Sequence, residues 1–397
     1  RDTMRISAII ATYNREMYLR RSLESVLGQS RPPDEVIVVD DGSDDGTSGI
    51  LAEYSNRITV IDKPNGGKAS ALNLAIPRTS GDLIWVFDDD DVAFPDALAR
   101  HLAIHLEDPT LGYSYSPKVT LHTDDKGREH IGRTVPVPEM DEEGIFYHMQ
   151  SGCKFSQQGS VVKRSSFKHC GAFDETLKRA QDYDFLLRLS RHYRGARLDA
   201  PTFYFRDHGQ ARGGALIRHA ARDRLDKFFQ YENRIWSRIL PTMSVCECLP
   251  GAIQDAASSP AMRRQARIRR MMIAGRNGLL ETLLAEAEML SRDGAADWRL
   301  NAHERHSAWL TFERRPAAVH AARAEGVFEA LIDRVRACDH GELMLFYALG
   351  LRAAAHALNQ HGRSEEAAFL RQRIRRLLLA GGWRYLPGYI RHKARAA

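Results

Sequence analysis

The chain has 397 residues, of which 43% are hydrophobic and 27% are charged, and its formal net charge is +6. These ordinary globular values exclude a peptide hormone, and no stretch approaches the roughly 18 unbroken apolar residues that a membrane span needs. Five cysteines, an odd number, and an N-terminus without a signal-peptide pattern predict a protein of the reducing cytoplasm.

Short β-rich runs alternate with amphipathic runs over the first half of the chain, a pattern typical of an α/β unit with a largely parallel sheet. The predicted elements, in order, are strand 6–11, helix 17–27, strand 35–39, helix 47–54, strand 58–61, helix 68–76 and strand 83–87. Polar clusters follow three of these strands, at the edge where open α/β sheets place ligands.

The second half differs in composition and consists of long stretches rich in Ala, Leu and Arg. From residue 215 onward we therefore predict a helical domain. Its segment 343–379 is expected to form two helices joined by a turn at 361–363, as part of a helical bundle rather than of a repeat array.

Four consecutive aspartates, 88–91, follow the strand predicted at 83–87. If the strand continues through them, Asp88 and Asp90 face one side and Asp89 and Asp91 face the other. Carboxylate oxygens favour Mg²⁺, Mn²⁺ or Ca²⁺ over zinc, so the run is a candidate metal site. A solvated acidic loop, or acids that favour the N-terminus of a helix, is the alternative.

Two further clusters suggest nucleotide binding. In segment 40–47, a carboxylate at a strand end would accept a hydrogen bond from the ring N–H of uracil, thymine or guanine, although most of this run also suits a simple turn. Segment 65–70 resembles a phosphate loop only superficially, because Asp62 and Ala69 stand where a Walker loop needs Gly and Ser or Thr. Lys68, near a predicted helix start, would still neutralise a diphosphate.

Five motifs of the first half occur in a specific order. They are residues 9–15, 38–43, 66–68, 88–91 with Pro95, and 171–175 with 181–184. In that order they resemble family 2 glycosyltransferases of the GT-A fold, and the resemblance covers roughly residues 4–210, about half of the chain. It implies a GT-A nucleotide-sugar-binding domain with a mixed, mainly parallel sheet over residues 1–214, followed by an all-helical domain over 215–397.

The resemblance also implies roles for donor-binding residues. Ala11 and Tyr13 would line the nucleotide base, with Tyr13 stacking on it, and Asp41 would accept a hydrogen bond from the base N–H. Asp88 and Asp90 would form the Asp-x-Asp motif, the first near the ribose and the second on a divalent metal, Mn²⁺ or Mg²⁺, that bridges the donor diphosphate. Arg15 and Lys68 complete the expected donor-binding set.

By the same resemblance, Asp182 looks like the catalytic base, although Gln181 stands where the family usually has Glu. Asp184 is the alternative base, but two positions further along a predicted helix it would point away. His208, in segment 205–209, matches a histidine that some relatives place near the metal, and a structural role is its alternative. Direct displacement at the anomeric carbon needs a base for the acceptor hydroxyl and charge neutralisation for the leaving nucleoside diphosphate, and it inverts the anomeric configuration.

The implied activity is that of an inverting, hexosyltransferase-type enzyme. It would move a sugar from a nucleoside-diphosphate sugar, expected to be UDP-linked, to a hydroxyl of a glycan or lipid-linked glycan, by analogy in polysaccharide biosynthesis of the cell envelope. A sugar nucleotidyltransferase, whose Gly-rich signature is missing after the first strand, and a catalytically silent binding or scaffold protein are the alternatives. Nucleic-acid binding is not expected, since acidic residues are interspersed among the Arg-rich helices, whose arginines should form a solvated face.

The helical domain has three open roles, namely acceptor binding, oligomerisation and membrane association. Its last residues, from 377 onward, mix aromatic and aliphatic side chains with cations: Trp383, Arg384, Tyr385, Leu386, Tyr389, Ile390, Arg391, Lys393 and Arg395. Such a mixture suits a membrane interface and predicts peripheral association with the inner face of the membrane. The alternative is that the aromatic side chains pack against the helical bundle.

Overall fold

The computed structural model describes residues 4–124, 128–138, 144–207, 224–251, 259–292, 299–312, 326, 329–330, 333, 341–360 and 362–381. The chain divides into two compact units. Unit 1 consists of Arg1–Asp141 with His148–Ala221, and unit 2 consists of Glu142–Tyr147 with Arg222–Ala397. The domain boundary predicted between residues 214 and 215 lies outside the described residues.

The strands of unit 1 form two sheets. They are β1 (Ile6–Thr12), β2 (Glu35–Asp40), β3 (Thr59–Asp62), β4 (Leu83–Asp88), β5 (Val92–Ala93), β6 (Tyr113–Tyr115), β7 (Lys118–Thr123), β8 (Glu129–Val135), β9 (Ser160–Lys163), β10 (Gly195–Arg197) and β11 (Phe203–Asp207). The larger sheet has the order β10-β6-β9-β4-β1-β2-β3 and the smaller one β5-β11-β7-β8.

The helices of the described residues fall in both halves of the chain. In the first half they are α1 (Glu16–Leu27), α2 (Thr47–Glu53), α3 (Lys68–Ala75), α4 (Ala97–Glu107), α5 (Ile145–Met149), α6 (Arg164–Cys170) and α7 (Gln181–His192). In the second half they are α8 (Arg224–Ile239), α9 (Pro260–Arg276), α10 (Leu280–Arg292), α11 (Ala302–Leu310), α12 (Gly341–Gln360) and α13 (Ser364–Gly381).

The larger sheet is parallel except at β9, which runs antiparallel to both β4 and β6. Ala11 of β1 lies opposite Val39 of β2 on one side and opposite Asp88 of β4 on the other. The carboxyl ends of these three strands therefore meet at one edge of the sheet. The predicted α/β class, with a mixed but mainly parallel sheet and a helical C-terminal region, is confirmed.

The core of unit 1 lies between the central strands and α1. Every second residue of β1, β2 and β4 belongs to it, which is the period expected when one face of a strand packs on a helix. The buried members include Ile6, Ala8, Ile10, Val36, Val38, Leu83, Trp85, Phe87, Leu19, Leu23 and Val26. The opposite faces of these strands are buried too, which explains the nearly continuous apolar runs that made the strands recognisable.

Three arginines of α9, in unit 2, pair with buried glutamates of neighbouring helices. Arg264 donates to Glu304, and Arg267 and Arg270 both donate to Glu286, while the two glutamates are 1% and 4% exposed. The solvated arginine face expected for this region is therefore wrong for these three residues, because carboxylates from neighbouring helices draw them inward. No helix in the described part of the chain is long and apolar enough to span a membrane.

Candidate active site at the carboxyl edge of the sheet

The turns after β1 and β2 are hydrogen-bonded to each other. Asn14 has a φ of +51°, a left-handed conformation that Asn tolerates better than most residues. Its backbone N donates to Ser43 Oγ at 2.9 Å, and its side-chain amide exchanges two hydrogen bonds with Asp44, at 2.7 and 2.9 Å. Ser43 and Asp44 thus shape this pair of turns, while Ala11 and Tyr13 next to them are half-buried.

Asp41 organises the Gly-rich segment that precedes α3. Its Oδ1 accepts hydrogen bonds from the backbone N of Gly66 at 2.9 Å and from Lys63 Nζ at 2.5 Å, and its Oδ2 accepts from the backbone N of Gly67 at 2.7 Å. The side chain is only 4% exposed. No sequence motif identified Lys63. The one feature that could have indicated its role is that this cation directly follows β3. The role of Asp41 in reading the nucleotide base stays a prediction.

The acidic run does not continue β4, so the alternation expected from an extended strand is wrong. β4 ends at Asp88, residues 89–90 form a turn, and β5 begins at Val92. Carboxylate oxygens of Asp88, Asp90 and Asp91 lie within 4.8 Å of one another. Asp91 joins the other two because the chain turns before reaching it, and the period of two holds only in an extended strand.

Arg15 neutralises part of the negative charge of residues 88–91, which we call the acidic turn. Its Nε lies 3.5 Å from Asp89 Oδ1, and its Nη2 lies 3.8 Å from Asp90 Oδ2. Burial lowers the pKa of the Arg15 guanidinium, but the charges of Asp89, Asp90 and Asp88 outweigh it and leave the pKa raised. Burial, with the charge of Asp90, raises the pKa of Asp89 to about 7 against the opposing effect of Arg15. Asp89 therefore binds a proton more readily than an ordinary aspartate does.

Lys68, at the start of α3, connects the acidic turn with the predicted base. Its Nζ donates to Asp88 Oδ1, while Gln158 Nε2 donates to Asp88 Oδ2 at 2.5 Å. Burial lowers the pKa of the Lys68 ammonium, but the charges of Asp88 and Asp182 outweigh burial and keep the pKa above its ordinary value. The fold thus pairs Lys68 with Asp88 and places Asp182 near enough for its charge to act on the same ammonium group. No sequence motif identified Gln158.

Asp182 and Asp184, both in the first turn of α7, have different surroundings. Asp182 is half-buried, and its Oδ1 accepts a hydrogen bond from the backbone N of Tyr183 at 2.8 Å. Asp184 is 3% exposed, and its Oδ2 accepts from Arg188 Nε at 3.1 Å and from Arg188 Nη2 at 2.7 Å. Arg188 also donates to the backbone O of Ala172 at 3.1 Å, so Asp184 takes part in holding the segment before α7.

The donor set at the acidic turn fits a divalent cation. Asp88, Asp90 and Asp91 offer hard oxygen atoms close together, which suits Mg²⁺ or Mn²⁺ and not a thiophilic metal. Arg15 and Lys68 compensate part of the negative charge that such an ion would otherwise neutralise. His208, which was predicted to lie near the metal together with Asp90, lies outside the described residues.

Residues 7–170 match the family model described as glycosyl transferase family 2. The chain is 31% identical over 188 residues to the chondroitin synthase and to the hyaluronan synthase of Pasteurella multocida, a match that covers 47% of this chain but only 19% and 18% of theirs. It is 30% identical over 218 residues to the putative glycosyltransferase EpsE of Bacillus subtilis, which covers 52% of this chain and 74% of EpsE. The chain thus spans about a fifth of the length of the two synthases.

A similar fold occurs among solved structures. The crystal structure of S. aureus TarS residues 1–349 in complex with UDP-GlcNAc superposes with a TM-score of 0.51 at 20% identity, over 84% of this chain and 90% of that chain. The same TarS fragment in complex with UDP also gives 0.51, at 18% identity. At these identities the likeness concerns the fold alone.

Proposed function

The chain belongs to glycosyl transferase family 2, and from this premise we propose that it moves a sugar from a nucleoside-diphosphate sugar to a hydroxyl of a glycan or lipid-linked glycan. The observation that carries the proposal is the convergence of Lys68, Asp88 and Asp182 at the carboxyl edge of the sheet. These residues supply the groups that displacement at an anomeric carbon needs. Asp182 offers a proton acceptor, Lys68 offers a cation for the leaving phosphate, and Asp88 offers oxygen ligands for a divalent metal.

Asp182 acts as the base in this proposal. Its carboxylate takes the proton of the acceptor hydroxyl while that oxygen attacks the anomeric carbon on the face opposite the leaving diphosphate. One displacement on the opposite face inverts the configuration. Its partial exposure leaves room for an acceptor hydroxyl, whereas Asp184 is buried and already bound by Arg188.

The leaving nucleoside diphosphate is stabilised by cations that lie beside the acidic turn. Lys68 and Arg15 remain charged at neutral pH. Lys68 pairs with Asp88 and Arg15 lies near Asp90, so both cations lie beside the position that we propose for the donor diphosphate. A divalent cation, Mn²⁺ or Mg²⁺, held by Asp88, Asp90 and Asp91 adds charge neutralisation at the departing phosphate when bound.

We propose UDP as the nucleotide of the donor. Asp41 would accept the ring N–H of uracil with the remaining lone pair of Oδ2, which accepts one hydrogen bond, from Gly67. Tyr13 would stack on the base, and Ala11, as a small residue, leaves space for it. Cytosine offers an acceptor where uracil offers a donor, so a CDP-linked sugar should bind less well.

Donor hydrolysis tests the proposed function. Full-length protein is incubated with a panel of UDP-sugars and Mn²⁺ without acceptor, and the release of UDP is measured, with EDTA and CDP-sugars as controls. We expect slow, metal-dependent release from one UDP-sugar, with NMR showing inversion at the anomeric carbon in the first sugar product. Retention of configuration, or cleavage of the donor that requires pyrophosphate and yields a sugar 1-phosphate with a nucleoside triphosphate, would exclude the proposed reaction.

We also propose a peripheral contact with anionic membranes through the end of the chain. Arg371, Arg375 and Leu379 follow one another at a spacing of four residues on α13, so they share one face of the helix. All three are exposed, and Leu379 is 72% exposed. The aromatic and basic residues that follow α13 in the sequence lie outside the described residues. A lipid surface accommodates such mixed cations and apolar groups.

A further inference from the structure

Arg206 lies in β11 and is one of the most deeply buried cations of unit 1, with a side chain that is 3% exposed. It stands two residues before His208, and no sequence motif assigned a role to it. A buried guanidinium is costly unless most of its donors have partners, so its partners indicate what it is retained for.

The partners of Arg206 come from four segments of unit 1. Its backbone N donates to Asp91 Oδ1 at 2.7 Å, and its Nε donates to the backbone O of Asp90 at 2.8 Å. Its Nη1 donates to Glu129 Oε1 at 2.6 Å and to Thr123 Oγ1 at 3.2 Å. Its guanidinium carbon lies 4.8 Å from the centre of the Tyr18 ring in α1.

These contacts hold the acidic turn from the side of the smaller sheet. β11 lies between β5, which directly follows the turn, and β7, which pairs with β8. Glu129, at the start of β8, also accepts from Arg21 of α1, so the anion that balances Arg206 is itself fixed. On the other side of the turn, Ser22 Oγ of α1 donates to the backbone O of Asp88 at 2.7 Å. The backbone of the turn is thus held at both of its ends.

The planar fork of arginine suits this position in a way that lysine does not. Nε is directed at Asp90 while Nη1 is directed at Glu129 and Thr123, and a single ammonium cannot reach these acceptors in the same directions. Loss of the Nε bond would leave the carbonyl of Asp90 to rotate, and with it the carboxylate of the same residue.

We infer that Arg206 is the positioning residue of the acidic turn: its guanidinium fixes the backbone of Asp90, beside the bond from its own backbone N to Asp91, so that the carboxylates of Asp88, Asp90 and Asp91 converge on one divalent cation. Arg206 does not touch the cation or the substrate, and it acts through the residues that do. This inference rests on the proposed function, because it concerns the same cation site.

The test compares Arg206→Lys with a matched control, Arg269→Lys. Arg269 is equally buried at 3% exposed, donates to the backbone O of Tyr147 at 2.5 Å and lies 3.8 Å from the Tyr147 ring, so its contacts resemble those of Arg206 but belong to unit 2. Binding of Mn²⁺ alone to each full-length protein is measured by electron paramagnetic resonance, at a temperature where circular dichroism shows all proteins folded. Hydrogen exchange of the peptide spanning residues 88–94 is measured without metal.

We expect Arg206→Lys to weaken Mn²⁺ binding about 10- to 100-fold, as is usual for groups that orient metal ligands, and Arg269→Lys to leave it unchanged. The amides of residues 88–94 should exchange faster in Arg206→Lys only. A folded Arg206→Lys protein that binds Mn²⁺ like the wild type overturns the inference. If the wild type binds no Mn²⁺, the cation proposal fails separately, and unchanged exchange of residues 88–94 in Arg206→Lys would then overturn the positioning role as well.

Discussion

Asp182 and Asp184 are two residues apart in α7, and their neighbours give them different tasks. Asp184 has its charge balanced by Arg188 inside the protein, whereas Asp182 lies near Lys68 and stays accessible. The acidic turn shows the same principle, since burial raises the pKa of Asp89 while Asp88 is bound by Lys68 and Gln158. Identical side chains thus have different surroundings, and the roles that we propose for them follow from this difference in local charge and burial.

Asp182→Asn preserves the shape of the base but removes its ability to accept a proton. We expect turnover to fall about 10²- to 10⁴-fold, with donor affinity little changed. Asp184→Asn should instead lower the free energy of unfolding by about 1 to 3 kcal/mol, because it weakens a buried, charge-assisted pair. Steady-state kinetics and thermal unfolding of both variants check this. Loss of turnover in a folded Asp184→Asn protein, with Asp182→Asn active, would reverse the assignment.

Asp90→Ala removes one oxygen ligand from the acidic cluster. We expect divalent-dependent binding of UDP to be lost, because the remaining carboxylates hold a labile cation too weakly. Isothermal titration of UDP with Mn²⁺ measures this. Asp96→Ala is the matched control, since Asp96 follows the same run but its side chain is 57% exposed and pairs with Arg100. Equal affinity of wild type and Asp90→Ala would remove Asp90 from the cation site.

One face of α1 determines the path of the chain after β4. Ser22 donates to the backbone O of Asp88, Ser25 Oγ accepts from the backbone N of Ala93 at 3.0 Å, and Gln29 Nε2 donates to the backbone O of Phe94 at 2.7 Å. The spacing of three residues places Ser22 and Ser25 on the same side of α1, and Gln29 follows just after the end of the helix at Leu27. The helix that begins with the Asn14–Arg15 turn therefore also orders the acidic turn.

α4 is joined to β6 and β9 by a buried histidine pair. Ser114 Oγ lies 2.8 Å from His101 Nδ1 and 3.1 Å from His105 Nε2, which also lies 3.3 Å from the backbone O of Val161. Burial lowers the pKa of His101 to about 3 and that of His105 to about 4. In the unfolded chain both rings take up protons near pH 6.5, whereas in the folded protein they stay neutral to about pH 4.

The histidine pair should therefore contribute most to stability above pH 6.5, and its contribution should decrease as the pH falls toward 4, by up to about 1.4 kcal/mol per pH unit for each histidine. His105→Gln cannot titrate and should flatten this decrease between pH 6.5 and 4.5. His130→Gln, at a side chain that is 59% exposed, is the control for a histidine outside the buried pair. Urea unfolding at several pH values measures the slopes, and equal slopes for wild type and His105→Gln would contradict the pKa shift.

At the scale of the whole chain, the net charge is +6, and its arginines differ in how far neighbouring carboxylates neutralise them. Arginines of α9 are paired with buried glutamates, whereas Arg371 and Arg375 of α13 are exposed beside Leu379. In the membrane contact that we propose, the exposed end of α13, and not the arginine-rich composition as such, would be attracted to an anionic surface.

Truncation after Ala380 and the single change Arg375→Glu test this membrane contact. We expect both to reduce co-sedimentation with anionic vesicles at low salt, since each cation near such a surface contributes about 1 kcal/mol. Arg292→Glu, at a side chain on α10 that is 74% exposed, is the control for a general charge effect. Equal recovery of all four proteins with the vesicles would leave the end of the chain without a membrane role.

The sequence by itself determined the seven elements predicted between residues 6 and 87, whose observed ends differ from the predicted ones by at most one residue, and the two helices at 341–360 and 364–381. It also indicated the family, which the comparisons confirmed, and the position of polar clusters after strands whose carboxyl ends share one edge of the sheet. These features follow from local periodicity and from one rule of parallel sheets, that the carboxyl ends of neighbouring strands share an edge.

Only the tertiary structure decided which side chains complete the site. Arg206 reaches Asp90 across 116 positions of sequence, Gln158 reaches Asp88 across 70, and Lys63 reaches Asp41 across 22. These contacts depend on the order of the strands in two sheets and on the turn that ends β4 at Asp88. Neither leaves a local pattern, because a long-range contact is set by how elements pack and not by the spacing of residues within one element.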